Sequence, residues 1–307
     1  MNKFFSSIDI GSNGIRMMIA EVIFENQKPV RLNEVKKIRT PVRLGKDVFL
    51  DQPISEQNIV ESIETFLHFK NLNQKYQISK CRAVATSALR EAKNKEDFIN
   101  RIEKTSGIKI ELIDGLEEAR LIFLAISKEV SLQNVTTVLI DVGGGSVEIT
   151  FCENGKSISS QSFPIGTVRI LDHLIKRKLT EPNLKVVFGD FITPIAKFVA
   201  NTPTNDNVAF AVGTGGNLEC MSRLKLDLLK KTTNTYLTLS ELVEIYEKLS
   251  HMSIEERVHK LKLRPDRADV ILPAILTVKT IMRQAQTQKI LIPCVGLRNG
   301  VLWSMLE

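Results

Sequence analysis

An apolar run that carries an aspartate near its end, turns on glycine and returns as a second apolar run occurs twice in this chain, and few folds accommodate that pattern twice. Residues 6–10 and 15–24 read as two strands joined by Gly11-Ser12-Asn13-Gly14, a hairpin turn because Asn-Gly tolerates positive φ. The β-branched run 138–142 contains Asp141 and is followed by Gly143-Gly144-Gly145-Ser146 and a second strand at 147–151. A recurrence after about one domain's length points to two related halves facing each other across a cleft.

Between and after these hairpins strand-like and helix-like patterns alternate, which makes the fold class α/β. Helices are expected at 56–70 and 95–106, and strands at 81–85, 109–113 and 208–212. A further helix is expected from about Asn217 and a long apolar one over 266–284, where Pro273 should kink or break it. The expected domains are 1–124 and 125–299 with a hinge near 120–130.

The chain has 307 residues, 43% hydrophobic and 25% charged, enough for two domains that each bury a core. No apolar run approaches the roughly 18 residues of a membrane span, so the sequence reads as cytoplasmic with no membrane partner. Cys81, Cys152, Cys220 and Cys294 are far apart, lack CxxC spacing and read as reduced core thiols. The net charge of +7 favours an anionic partner. Scattered lysines, 6% aromatics and no nucleic-acid motif argue against nucleic acid.

The chemistry gathers at the glycine turns. Gly11, Ser12 and Asn13 in the first, and Gly143, Gly144, Gly145 and Ser146 in the second, let backbone N–H groups approach phosphate oxygens, while Asp9 and Asp141 offer hard oxygens to Mg2+. Strand alternation puts Glu148 on the same face as Ser146 and Thr150, as a second carboxylate for the metal. A third loop, Gly213-Thr214-Gly215-Gly216-Asn217, precedes a helix whose N-terminus favours phosphate. Asp114 is an N-cap, with Glu117 completing a capping-box-like pair. Glu118 then projects over the apolar stripe of Leu121, Ile122 and Ala125, where partial desolvation suits it to take a proton from water. Arg16, Arg90, Arg267 and Arg298 are candidate phosphate-binding guanidiniums, and the four histidines lack ligand spacing.

Eight segments, SIDIGSN (7–13), ATSALREA (85–92), GLEEARLI (115–122), DVGGGSVEI (141–149), PIGTVRI (164–170), VGTGGN (212–217), RADVI (267–271) and GLRNG (296–300), together resemble the exopolyphosphatase/guanosine pentaphosphate phosphohydrolase (Ppx/GppA) family. The resemblance implies two ribonuclease-H-like domains of the actin/Hsp70/sugar-kinase superfamily with the site in an interdomain cleft and the terminal helix 300–307 packed back on the first domain. It implies an Mg2+-dependent exopolyphosphatase in which Glu118 is the base and Asp141 and Glu148 serve the metal and water. Gly215 and Gly216, with Arg16, Arg90 and Arg267, would engage phosphates. Inorganic polyphosphate or guanosine penta- or tetraphosphate is the implied partner, and a homodimer is compatible with it. A pppGpp 5′-phosphohydrolase, a kinase of the same superfamily and a non-catalytic sensor are the alternatives. Gly14, Asn217 and Asn299 depart from the usual family residues, and the C-terminal helical domains of long family members lie outside this sequence.

Overall fold

The computed structural model describes residues 3–179 and 181–307. Contacts divide the chain into two compact units, Met1–Leu124 with Leu297–Glu307, and Ala125–Gly296.

In the first unit β1 (Lys3–Gly11), β2 (Gly14–Glu25) and β3 (Lys28–Thr40) form an antiparallel meander. Then α1 (Leu44–Val48) and α2 (Glu56–Lys75) lead to β4 (Lys80–Ala85). Next, α3 (Ser87–Glu91) and α4 (Lys95–Ser106) lead to β5 (Ile110–Leu112), and α5 (Gly115–Ser127) follows. Because β4 runs parallel to β1 and β5 parallel to β4, the order is β3-β2-β1-β4-β5. The central β1 is buried on both faces and reads as a near-continuous run. By contrast the edge strand β3 carries Lys28, Arg31, Lys36, Lys37 and Arg39, charges that discourage pairing with another chain.

The second unit repeats the plan. An antiparallel meander of β6 (Thr136–Val142), β7 (Val147–Glu153) and β8 (Lys156–Phe163) is followed by α6 (Thr167–Lys176), α7 (Leu184–Asn201) and β9 (Phe210–Thr214), parallel to β6. After α8 (Gly215–Leu229) come β10 (Tyr236–Thr238), α9 (Leu239–Ser250), α10 (Ile254–Leu261), α11 (Pro265–Ala268), α12 (Ile271–Gln284) and β11 (Lys289–Leu291). The order is β10-β11-β9-β6-β7-β8. With β10 set aside, three antiparallel strands followed by two parallel ones is the plan of the first sheet. Both have the ribonuclease-H-like order expected of the fold class.

The expected long helix 266–284 is two helices, and the break falls at Asp269–Val270 rather than at Pro273. Pro273 is the third residue of α12, where its missing N–H has no helical acceptor to lose, so it fits without a kink. Most of α12 is buried, packed against α7, α9 and α8 at the centre of the second core. The α9 and α10 starts are fixed by full capping boxes, Thr238 with Glu241 and Ser253 with Glu256.

The cysteine expectation holds for Cys152 and Cys220 but not for Cys81 and Cys294, which are exposed. Cys81 lies at the open start of β4, whose burial begins only at Ala83, and Cys294 sits in a tight connection with φ of 58°. Burial pushes the Cys152 thiol up to about 12, so it stays protonated. Among the described residues no helix is long and apolar enough to cross a membrane.

The chain returns to the first unit through α13 (Leu297–Ser304). Leu302 packs with Phe5, Met18, Ala20 and Val22, and Val301 with Val84, Ile113 and Leu121. The seat is tight at Gly300, where a Cβ would stand 1.9 Å from the Leu121 carbonyl oxygen. Gly300→Ala therefore forces two helix backbones apart and is expected to cost about 1–3 kcal/mol. Urea unfolding compared with the parent chain measures it.

Candidate active site

Four neighbouring strands of the second sheet carry one polar row. In register, Thr214 of β9 faces Asp141 of β6, Asp141 faces Glu148 of β7, and Glu148 faces Ser162 of β8. The Thr214 hydroxyl donates to Asp141 Oδ1 at 2.5 Å, and the Ser162 hydroxyl donates to Glu148 Oε1 at 2.7 Å. Two carboxylates thus stand side by side between two hydroxyl donors, and Glu148 is only 2% exposed. Like charges directly opposite in a sheet repel, and here each carboxylate accepts one hydroxyl. All-oxygen donors of this kind suit a hard divalent cation such as Mg2+. Geometry, charge and ligand chemistry therefore agree.

Above this row lies the Gly143–Ser146 turn, closed by the Gly143 N–H donating to the Ser146 carbonyl at 3.0 Å. Its first three carbonyls face one partner segment. Thr167 N–H donates to Gly143, Val168 N–H to Gly144, and Gly166 N–H with Arg169 Nε to Gly145. A planar trans peptide points its N–H opposite to its C=O. The N–H groups of Gly144, Gly145 and Ser146 are consequently turned away from residues 166–169, three successive donors on one side, as a phosphate requires. The clasp is close because position 166 is glycine, where a Cβ would lie 2.2 Å from the Gly144 carbonyl. Gly143 is tight as well, since a Cβ there would lie 3.0 Å from the Ser146 carbonyl oxygen.

The third loop adjoins the row. Thr214 is the N-cap of α8, but its hydroxyl bonds Asp141 instead of capping the helix. Gly215 has φ of 85° and would place a Cβ 2.8 Å from Asp141 Oδ1, so both dihedral and space demand glycine. Asn217 donates through Nδ2 to the Val142 carbonyl at 2.8 Å and accepts from the buried Arg267 at Oδ1. Arg267 Nη2 would lie 2.8 Å from a Cβ at Gly216. The helix is found to begin at Gly215 rather than Asn217, and Asn217 joins two loops that the sequence leaves separate.

In the first unit Asp9 faces Arg16 in register, and Arg16 Nη1 donates to Asp9 Oδ2 at 2.9 Å. Ser12 Oγ lies 3.1 Å from Ser87 Oγ, and the Ser12 carbonyl accepts from Gly45 N–H at 2.9 Å. The expected positive φ at Asn13 is not found; Gly14 has it instead, at 153°. The Arg39 guanidinium donates to the Asn13 carbonyl and would press on a Cβ at Gly14 at 3.1 Å, which accounts for glycine there. Arg90 Nη1 donates to the Ile113 carbonyl at 2.5 Å, tying α3 to the end of β5.

The two glutamates opening α5 differ sharply. Asp114 caps the helix by accepting from Glu117 N–H at 2.8 Å. Both oxygens of the Glu117 carboxylate accept from guanidiniums, Arg120 on each and Arg82 on Oε1. The Arg120 guanidinium, with Arg82 behind it, holds the Glu117 carboxyl below the usual carboxylate range. Through Arg82 and Arg120 this network reaches Ser304 and Glu307 of the terminal segment. Glu118 is turned inward and 7% exposed, on the side of buried Leu121, Ile122 and Ala125.

Of the residues singled out from sequence, the structure joins Asp9 with Arg16, Asp141 with Glu148, and Arg267 with Gly216. Ser162, Thr214, Asn217 and the Gly166–Arg169 clasp are additions. Thr214 is revealed by the pairing of β9 with β6, strands far apart in sequence, and Ser162 by a register shift between Phe151 and Cys152 that the Asn154-Gly155 turn joining β7 to β8 does not announce.

The sequence model of the Ppx/GppA phosphatase family matches residues 22–307. Over 309 residues the chain is 28% identical to the bifunctional 3-dehydroquinate synthase/phosphatase of Fusobacterium nucleatum, covering 92% of this chain and 43% of that protein. It is 25% identical to the guanosine-5′-triphosphate,3′-diphosphate pyrophosphatase of Pseudoalteromonas translucida, covering 98% and 59% respectively. The chain thus spans about half the length of the curated relatives it matches. Among solved structures, the Ppx/GppA family member of Aquifex aeolicus superposes with a TM-score of 0.80 at 26% identity over 100% of this chain and 98% of that one. An exopolyphosphatase from Cytophaga hutchinsonii gives 0.86 at 24% identity over 99% and 98%, a likeness of fold.

A Cβ at position 166 would strike backbone rather than a movable side chain, so Gly166→Ala must displace the Gly143–Ser146 turn. The variant is expected to retain its far-ultraviolet circular dichroism while losing most of its affinity for tripolyphosphate, measured by calorimetry.

Proposed function

Because the chain belongs to the Ppx/GppA phosphatase family, we propose that it is a phosphoanhydride hydrolase that removes the terminal phosphate of inorganic polyphosphate. The observation that carries this reading is the in-register Asp141–Glu148 pair beneath a turn whose three successive N–H groups face one way.

In the proposed reaction Glu118 orients a water molecule and takes its proton as the water attacks the terminal phosphorus in line; the bridging P–O bond opposite breaks, releasing orthophosphate and the polyphosphate shortened by one unit. The phosphoryl oxygens are held by the N–H groups of Gly144, Gly145 and Ser146 and by the donors of the first and third loops. Asn217 holds Arg267 beside Gly216, placing a guanidinium where anionic substrate would meet the start of α8. When bound to Asp141 and Glu148, Mg2+ supplies neutralisation of the phosphate charge. Asp9 keeps Arg16 in place at the first turn, leaving the cation to the second-unit pair in this proposal. Positioning and electrostatics then account for most of the acceleration, as expected for phosphoryl transfer. The reading requires Glu118 and the Asp141–Glu148 pair to act on one phosphoryl group.

Hydrolysis of pppGpp is the second reading, favoured by the pyrophosphatase of P. translucida, to which nearly the whole chain aligns. The three glycine loops and the 166–169 clasp contain no aromatic residue on which a guanine would stack, which favours polyphosphate.

Phosphate release from long-chain polyphosphate and from pppGpp, each with Mg2+ and again after EDTA, tests the proposal. Release from polyphosphate that EDTA abolishes is the expected result; release from pppGpp alone would support the second reading. Binding without release from either would overturn hydrolysis. Glu118→Gln is expected to lower turnover by roughly 10²–10⁴ with substrate affinity little changed. Near-parental turnover in that variant would remove Glu118 from the role of base.

A further inference from the structure

Glu148 and Asp141 are adjacent carboxylates on neighbouring strands, so their like charges push each other apart. Asp141 has a short side chain and the Thr214 hydroxyl to hold it. Glu148 has one more rotatable bond, and repulsion gives its carboxylate reason to turn away. What opposes that turn is Ser162, directly across the β7–β8 ladder, whose Oγ donates to Oε1 at 2.7 Å. With Oε1 held, rotation of the carboxylate about its last bond is fixed, and so is the direction of Oε2.

The register that brings Ser162 opposite Glu148 runs along the whole β7–β8 ladder, and two residues away Thr150 Oγ1 and Ser160 Oγ lie 2.8 Å apart. A slip of one residue would send every one of these side chains to the other face. The two hydroxyls of β8 therefore do different work. Ser160 pairs with a hydroxyl, whereas Ser162 pairs with a charged group proposed to meet the metal.

We infer that Ser162 is a positioning residue that holds the Glu148 carboxylate in its cation-binding orientation before the cation arrives. This rests on the proposed cation site at Asp141 and Glu148. Nothing in the sequence of β8 signals it, since KSISSQSF reads as an ordinary polar strand. The physical gain is pre-organisation: a ligand already aimed needs no reorientation against its neighbour's charge on binding. Groups that hold a metal ligand in this way commonly change affinity by about 10–100-fold when removed.

The test is Mn2+ binding, followed by electron paramagnetic resonance on the full chain without substrate. Ser162→Ala is expected to weaken Mn2+ binding about ten-fold. Ser162→Thr, which keeps the hydroxyl on a residue suited to strands, restores it, and Ser160→Ala leaves it unchanged. Thermal melting of all three variants close to the parent chain shows that the fold is intact. Equal Mn2+ affinity in Ser162→Ala and the parent overturns the inference. So does a loss in Ser160→Ala as large as that in Ser162→Ala, which would make the effect one of the whole ladder. A parent chain that binds Mn2+ no better than Asp141→Asn marks the separate failure of the cation reading.

Discussion

Two carboxylates forced side by side by strand register are the constraint from which the second unit is best understood. Asp141 and Glu148 are paired across β6 and β7, and burial of Glu148 denies them the water that would screen their repulsion. Nothing about folding requires such a pair, and an alternating strand would be more stable with apolar or hydroxyl residues at both places. The flanking strands answer the problem with donors: Thr214 arrives on β9 and Ser162 on β8, each aimed at one carboxylate. Local rules broken at one spot and compensated by its neighbours are the usual mark of a working site.

The glycine-rich turn above the pair shows the same economy in the backbone. Residues 166–169 take up its carbonyls, and peptide planarity then turns the following N–H groups to the opposite side. The segment PIGTVRI thus acts through the loop it clasps. Arg169 belongs to this support, since its Nε donates to the Gly145 carbonyl. On the other flank Asn217 links Arg267 to the Val142 carbonyl, so the β6–β7 turn is held on both sides by groups from distant parts of the same unit.

Much of this was legible in the sequence, and what was not shares a cause. The paired hairpins, the α/β class, the N-cap at Asp114 and the contrast between Glu117 and Glu118 rest on local pattern, which a single chain displays in full. Pro273 misled because a proline's effect depends on its distance from a helix start that only the break at Asp269 reveals. Cys81 and Cys294 misled because an apolar neighbourhood in sequence says little about the ends of strands and tight connections. Ser162 and Thr214 were invisible because their meaning lies in which residue stands opposite. Register between strands is set by the folded sheet.

The two hairpins carry their key pairs at the same seven-residue spacing, Asp9 with Arg16 and Asp141 with Glu148, and each pair is in direct cross-strand register. In the first unit the residue opposite the aspartate is an arginine, and the row continues to Arg39 on β3. Its carboxylate is neutralised by a charge built into the chain. In the second unit the residue opposite is a glutamate and the row continues to Ser162, so the cross-strand position adds a second carboxylate and then a hydroxyl where the first unit has two guanidiniums. A single repeated hairpin therefore gives two different electrostatic outcomes according to the residue at one cross-strand position. That position, rather than the glycine turns the hairpins share, is what separates an aspartate–arginine salt bridge from a pair of carboxylates.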